Sequence, residues 1–271
     1  MTSLDPMLPE TWFPDHVDGV ITPLAQALLY PYPAPAGDFF MEDGLPRECP
    51  QGIDPAQLDG RVPVLSVGSN RAPLQLRRKF GAAANLPVTA CTLHDADIVF
   101  AASLSFYSAI PATACPCPGV AVRLNIAWLD EAQLNHMHDT EALGIAYDFV
   151  CLDDGLIDHG GRPDAAVFGQ PVYGYQARAG VLLRDQAPVA HQAIPARGRR
   201  FAEADESAML DWARTLTGAQ EMPRDDWIMA MRSSRAARDP VIAALAEHGF
   251  TPPGQPWQVV EARAGNAEAF L

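Results

Sequence analysis

Two short stretches of this chain hold residue types that can do chemistry together. The first is Leu65-Ser66-Val67-Gly68-Ser69-Asn70, an apolar run ending in a glycine, a hydroxyl and an amide. Glycine lets main chain approach a ligand closely, and successive N–H groups in such a turn form a concavity suited to an anion or a developing oxyanion. The same three residues also make an ordinary strand-to-helix turn. They match neither the Gly-Lys-Ser/Thr ending of a phosphate-binding loop nor a Gly-x-Gly-x-x-Gly fingerprint. The second stretch is Met137-His138-Asp139-Thr140-Glu141, with Tyr147 further on. A carboxylate at a helix end, beside a low-dielectric interior, resists ionising and can act as a general base. The plain alternative is an exposed glutamate. His138 and Glu141, three apart, share a helix face and could hold a metal ion; His136 and His138, two apart, could not.

The elements that must position these groups can be read from caps and periodicity. Val62 to Val67 is an apolar run that predicts a buried strand, and Pro73 suits the first position of a helix running to Phe80, with basic residues in its last turn. Strands are expected at Val88–Leu93, Ala96–Leu104 and Gly119–Trp128, then at Ile145–Leu152, Ala165–Phe168 and Val172–Ala177. Asp130 with Gln133 forms a capping box that opens a helix over Glu131–Thr140. Beyond about residue 195 the pattern turns helical. One helix has Ala208, Met209, Trp212, Ala213 and Leu216 on one face and Gly218 as its cap. A second covers Arg224 to Arg238, and a third starts at Asp239-Pro240 and stops at Gly249. The first sixty residues hold ten of the 25 prolines, which predicts an ordered but irregular arm. The expected organisation is therefore α+β: an arm over residues 1–60, a small mixed barrel over 61–195 and a helical extension over 196–271.

Composition narrows the partners. With 19 basic and 33 acidic side chains, the net charge of −14 argues against nucleic acid. No stretch approaches the roughly 18 uninterrupted apolar residues of a membrane span. The first ten residues carry acids and prolines where a secretory signal needs positive charge and an apolar run, so a cytoplasmic location is expected. Five cysteines are too few for a disulfide scaffold and are expected as thiols. Cys115-Pro116-Cys117 lacks the spacing of a zinc site and reads as two small side chains on a strand edge or loop. The Asp153–Asp164 stretch lacks ordered calcium-ligand spacing and reads as a polar turn. Arg197-Gly198-Arg199-Arg200 reads as a solvated basic loop, and Trp212, Trp227 and Trp257 as core.

Taken together, the two chemical stretches resemble one family. Val67-Gly68-Ser69-Asn70, followed by Pro73, Gln75, Leu76, Lys79 and Phe80, resembles the Tyr-Gly-Ser-Asn opening of the γ-glutamylcyclotransferase-like proteins. Ala90–Phe100 is similar to that family's second strand pair, and Pro111-Ala112-Thr113 with Pro118-Gly119-Val120 to its Ala-Thr and Pro-Gly marks. Asn125–Leu134 resembles its strand and capped helix, and Met137–Glu141 with Tyr147 its Leu-Asp-x-x-Glu and tyrosine. The resemblance spans about residues 62–178. It implies a barrel of the γ-glutamylcyclotransferase-like type and a reaction without metal or organic cofactor. In that reaction a γ-glutamyl amine or peptide closes on itself to give 5-oxoproline and a free amine.

By position, Glu141 would be the general acid/base. The N–H groups of Gly68, Ser69 and Asn70 would hold the substrate's carboxylate or carbonyl oxygen, and Tyr147 would close the pocket beside Val67. The partner implied is a small γ-glutamyl or other carboxylate-bearing molecule. Three positions depart from the family: Val67 stands for tyrosine, His138 for aspartate and Ala142 for glycine. Two other functions stay open, a non-catalytic binding or interaction module on the same fold and a metal-assisted amidohydrolase built on His138 and Glu141.

Overall fold

The computed structural model describes residues 16–17, 20–153, 155–160 and 171–260. The strand expected at Ala165–Phe168, and Asp154, Gly161 and Asp164 of the acidic turn, lie outside the described residues.

The arm is more regular than its prolines predict. A two-stranded ribbon, β1 (His16–Val17) and β2 (Val20–Ile21), leads into helix α1 (Pro23–Leu28), capped by the Thr22 hydroxyl and opened by Pro23. Beyond it, β3 (Phe39–Glu42) and β4 (Leu45–Glu48) form a hairpin that turns at Asp43 and Gly44, both at positive φ. Proline here sits at helix starts, between elements or, at Pro46, in β4, which among the described strands pairs with β3 alone, so no central ladder is interrupted.

The body follows the predicted punctuation closely. Strand β5 (Val62–Ser66) is buried, and α2 (Pro73–Phe80) has Pro73 at its first position. Two long strands come next, β6 (Leu86–Phe100) and β7 (Ala112–Leu129). They pair antiparallel along most of their length, from Val88 opposite Ala127 to Phe100 opposite Ala112. Sequence patterning splits β6 into two strands. The structure instead keeps one, with a bulge at Asp95, which has positive φ and whose carboxylate accepts from the Gly119 N–H at 2.7 Å. Cys115 and Cys117 therefore lie inside a long strand, both buried, rather than on an edge or loop. Helix α3 (Glu131–Thr140) has the predicted capping box. After it come β8 (Tyr147–Leu152), β9 (Ile157–Asp158), β10 (Tyr173–Ala177), the β11 (Val181–Arg184) and β12 (Ala187–His191) hairpin, β13 (Ala196–Arg197) and β14 (Ala202–Ala204).

The last segment holds α4 (Glu206–Leu216), α5 (Arg224–Ser233) and α6 (Arg235–Ala246), then β15 (Gly249–Phe250) and β16 (Trp257–Val259). Here one expectation fails. Ser234, not Asp239, starts the third helix: its extended backbone breaks the chain after α5, and its hydroxyl accepts from the Ala237 N–H. Pro240 sits inside α6, and Asp239 pairs with Arg235 at 3.5 Å, one turn back, instead of capping.

The architecture is α+β, a curled half-barrel sheet flanked by helices. Its main path runs β15-β11-β12-β6-β7-β5-β10-β8-β16, with β3 and β9 added on β6, β13 on β7 and β14 on β12. Among the described strands, β5 with β10 and β12 with β14 pair parallel and the rest antiparallel. Inside the curl, β6 and β7 bury Leu93, Ile98, Val122, Leu124 and Ile126. On one outer side, α2 and α3 cover Val88, Ala127 and Leu129 with Leu76 and Met137. On another, α4, α5 and α6 cover Phe100 and Leu182 with Met209, Trp227 and Leu245. Fully buried side chains of this kind each contribute about 1.5–3 kcal/mol. Trp227 and Trp257 are core as expected.

The basic loop also corrects the sequence reading. Arg199 is enclosed, its side chain 7% exposed, and its Nε and Nη2 grip the fully buried Asp97 carboxylate at 3.0 and 2.9 Å. It also donates to the Ile194 carbonyl at 2.8 Å. A carboxylate inside an apolar strand must find a cation, and this loop supplies it.

Candidate active site

The turn after β5 and the end of α3 meet because their elements are neighbours. Strand β5 lies between β7 and β10, so the chain leaves the sheet at Val67 next to the strands that follow α3. Ser69–Arg71 makes one tight helical turn, whose first N–H groups have no partner within the turn itself. Helix α2 then runs beside α3, which ends with Glu141 as its C-terminal cap residue. Strand β8 opens at Tyr147. Val67, Gly68, Ser69, Asn70, Glu141 and Tyr147 all line one cleft of about 520 Å³, a size typical of small-molecule sites.

Glu141 does not stand alone in it. The Asn70 side-chain amide donates to Glu141 Oε1 at 3.0 Å, and the Lys79 ammonium pairs with the same oxygen. The Lys79 and Glu141 side chains are only 6% and 14% exposed, so this is an enclosed pair rather than a surface one. Lys79 Nζ also lies 3.2 Å from Met137 Sδ. By sequence Lys79 is a helix-end charge. Its spacing from Gln75, which also lines the cleft, was the available signal that it faces the same side. Asn70 Oδ1 is buried and has no hydrogen-bond partner among the described residues. It is a free acceptor beside the carboxylate.

Tyrosines close the floor. Tyr30, from the arm, sits against Gly68: a methyl there would overlap the Tyr30 hydroxyl oxygen, and Tyr30 Cζ would lie 3.4 Å away. That close approach is why the position must be glycine. The Tyr30 hydroxyl accepts from the Ala112 N–H at 2.9 Å, leaving its own proton to donate. Burial pushes the phenols of Tyr30, Tyr107, Tyr147 and Tyr175 well above their ordinary range, and for Tyr147 and Tyr175 the Glu141 charge adds to it. All four therefore present neutral hydroxyls at physiological pH. The aromatic wall and hydroxyl that Val67 lacks are supplied by residues far away in sequence, with nothing local to Val67 to announce them. The opposite wall comes from Phe106, Arg178 and, on α6, Arg238 and Ile242.

His138 is not among the residues lining the cleft. Its Nδ1 meets the Tyr175 hydroxyl at 2.7 Å, its ring packs edge-on against Phe149, and burial lowers its pKa. Among the described residues no group of three or more His, Cys, Asp or Glu side chains gathers as metal ligands would. No helix among them is long and apolar enough to cross a membrane.

Comparison of the chain with protein-family models, with curated proteins and with solved structures found no match.

Proposed function

We propose that the protein is a γ-glutamylcyclotransferase-like enzyme with a barrel of that family's type, releasing an amine from a γ-glutamyl amide or peptide as 5-oxoproline forms. The observation that carries this reading is that Glu141 and the Gly68–Asn70 turn, 71 residues apart for the Asn70–Glu141 bond, line one cleft.

The reaction follows from the placement of groups. The substrate folds so that its α-amine faces its own γ-carbonyl carbon. Holding that folded form turns the closure into an oriented intramolecular attack, which is worth several kcal/mol. Asn70 Oδ1 accepts a hydrogen bond from the amine. Glu141 takes a proton from it as the new C–N bond forms, then returns the proton to the departing nitrogen as the old C–N bond breaks. The N–H groups of the Gly68–Asn70 turn and the neutral tyrosine hydroxyls meet the oxygen that gains negative charge. Lys79 fixes the carboxylate's direction and balances its charge. Every atom and proton comes from the substrate and Glu141, so this chemistry calls for no cofactor.

One observation favours a second reading, a non-catalytic module that binds a carboxylate-bearing ligand in the same cleft. A carboxylate already paired with an ammonium is a less available base. Incubation with a panel of γ-glutamyl amines and dipeptides, with 5-oxoproline read by mass spectrometry, separates the two. Turnover that falls about 10²–10⁴-fold in Glu141→Gln is expected for a general base. Turnover unaffected by Glu141→Gln refutes the assigned role, and saturable binding without product supports the module.

A further inference from the structure

On the far side of the Ser69–Arg71 turn lies a second cleft of about 450 Å³, walled by the arm at Leu29 and Tyr32–Ala36, by Asn125 and Arg123 of β7, and by Ala193 and Pro195. Its lining is mostly apolar, with two guanidinium groups and one carboxamide set into it. Arg71 is the unusual member. It is more than nine-tenths buried, at 8% exposure. Its Nε donates to Asn125 Oδ1 at 3.3 Å, and among the described residues no hydrogen bond or ion pair engages its two terminal nitrogens. Desolvation lowers its pKa to about 10.

A buried guanidinium without a counter-charge is costly, and proteins normally pair it. This chain does so elsewhere: Arg199 has Asp97. With 33 acidic side chains to 19 basic ones, carboxylates are plentiful, yet none of the described ones faces Arg71. Arg123 also lines the cleft, exposed, its Nε donating to the Ala36 carbonyl at 2.9 Å. The Asn125 amide holds the arm at the Pro35 carbonyl, 3.4 Å away, and so fixes the roof over both arginines.

We propose that this second cleft binds a small monocarboxylate with an apolar body. The planar fork of Arg71, joined by Arg123, takes the carboxylate, because two parallel N–H donors match its two oxygens. The prolines of the arm, with Leu29 and Tyr32, cover the hydrocarbon. The few polar groups of the lining suit one anionic end rather than a polyphosphate or a sugar. Arg71 follows directly on Asn70, so occupancy here bears on the back of the turn whose front lines the first cleft. The site stands apart from that cleft and does not rest on its assignment.

Titration calorimetry on the full-length protein tests it with benzoate, hexanoate, the neutral benzamide and inorganic phosphate. Benzoate and hexanoate are expected to bind saturably and benzamide at least tenfold more weakly. Arg71→Met and Arg123→Met are each expected to weaken benzoate tenfold or more, while Asn70→Ala changes it less than twofold. Because Arg123 is exposed, its variant keeps the test valid if Arg71→Met does not fold. Equal binding of benzamide, benzoate affinity untouched by Arg123→Met, or loss of binding in Asn70→Ala would each overturn the proposal. Phosphate binding more tightly than benzoate would overturn the carboxylate assignment.

Discussion

The Lys79–Glu141 pair gives the sharpest test of the site, because its worth can be worked out before any substrate is known. Both side chains are enclosed, at 6% and 14% exposure, and they share one carboxylate oxygen with the Asn70 amide. Lys79→Met keeps the length of the stem but leaves the carboxylate with one neutral donor. Glu141→Gln leaves an ammonium against the Met137 sulfur. Removing one partner of a buried pair costs about 3–5 kcal/mol, most of it the price of the charge left behind. With Glu141 partly open to the cleft, the lower end of that range applies to each single variant, about 3 kcal/mol. The double variant leaves no stranded charge and is expected to cost no more than either single one. Urea unfolding of all four proteins at pH 7 reads this as a coupling of at least about 2 kcal/mol, changing little between low and high salt because the pair is enclosed. Costs that add to within about 0.5 kcal/mol would show that the two charges do not meet in solution, and the account of Glu141 as a fixed, oriented carboxylate would fall with them.

Three other outcomes are expected. His191 is fully buried against Phe100, and burial first, then the Arg199 and Arg71 charges, lower its pKa from 6.5 to about 3. The unfolded chain therefore takes up this proton first as pH falls, so the stability it contributes is present above pH 6.5 and is lost toward pH 3. Between pH 7 and 5 that loss is about 2 kcal/mol; urea midpoints of His191→Leu should lack it, and equal pH dependence in both proteins would refute it. Gly68→Ala should destabilise by about 1–3 kcal/mol by pushing on Tyr30. Tyr30→Phe should relieve part of that cost, so thermal melts of the double variant should show less than the sum of the singles. Asp97→Asn should cost about 3 kcal/mol, the lower end for a broken buried pair because Glu203 at 3.2 Å still faces Arg199, and Asp97→Leu with Arg199→Met should cost less than Asp97→Asn, as judged by urea midpoints.

What could be read from the sequence was what is decided locally. Pro73 at a helix start, the Asp130–Gln133 capping box and the apolar run at Val62 act within one turn or one strand, and the structure has all three elements there. Ser234 against Asp239–Pro240 was a contest between two adequate caps. The extended backbone at Ser234 settles it; the Arg235–Asp239 pair, although its spacing of four is legible, is exposed and only occupies the Asp239 carboxylate. His94-Asp95 interrupts the apolar run and reads as a strand end, although Asp95, at positive φ, only bulges a longer ladder. The partners of the candidate site lay beyond reach for a different reason. Lys79 and Glu141 are 62 residues apart, and Arg199 and Asp97 are 102 apart, so a charge that looks solvated in sequence becomes an obligate buried contact only when the sheet curls. Tyr30 reaches Gly68 from the arm, 38 residues earlier in the chain, and nothing local to either residue marks the contact.

The β6–β7 ribbon has a consequence for how the molecule comes apart. Phe100 at one end is part of the packing under α4–α6, Leu93 and Val122 in its middle fill the curl, and Val88 and Leu129 at the other end sit beneath α2 and α3. One pair of strands is thus the shared wall of three apolar interiors. Melting any one of them peels away rungs that the other two depend on, so none can be lost as a private event. Although the chain reads as three parts, slow-exchanging amides should be concentrated along this ribbon, and heat should dissolve arm, sheet and helices in a single step.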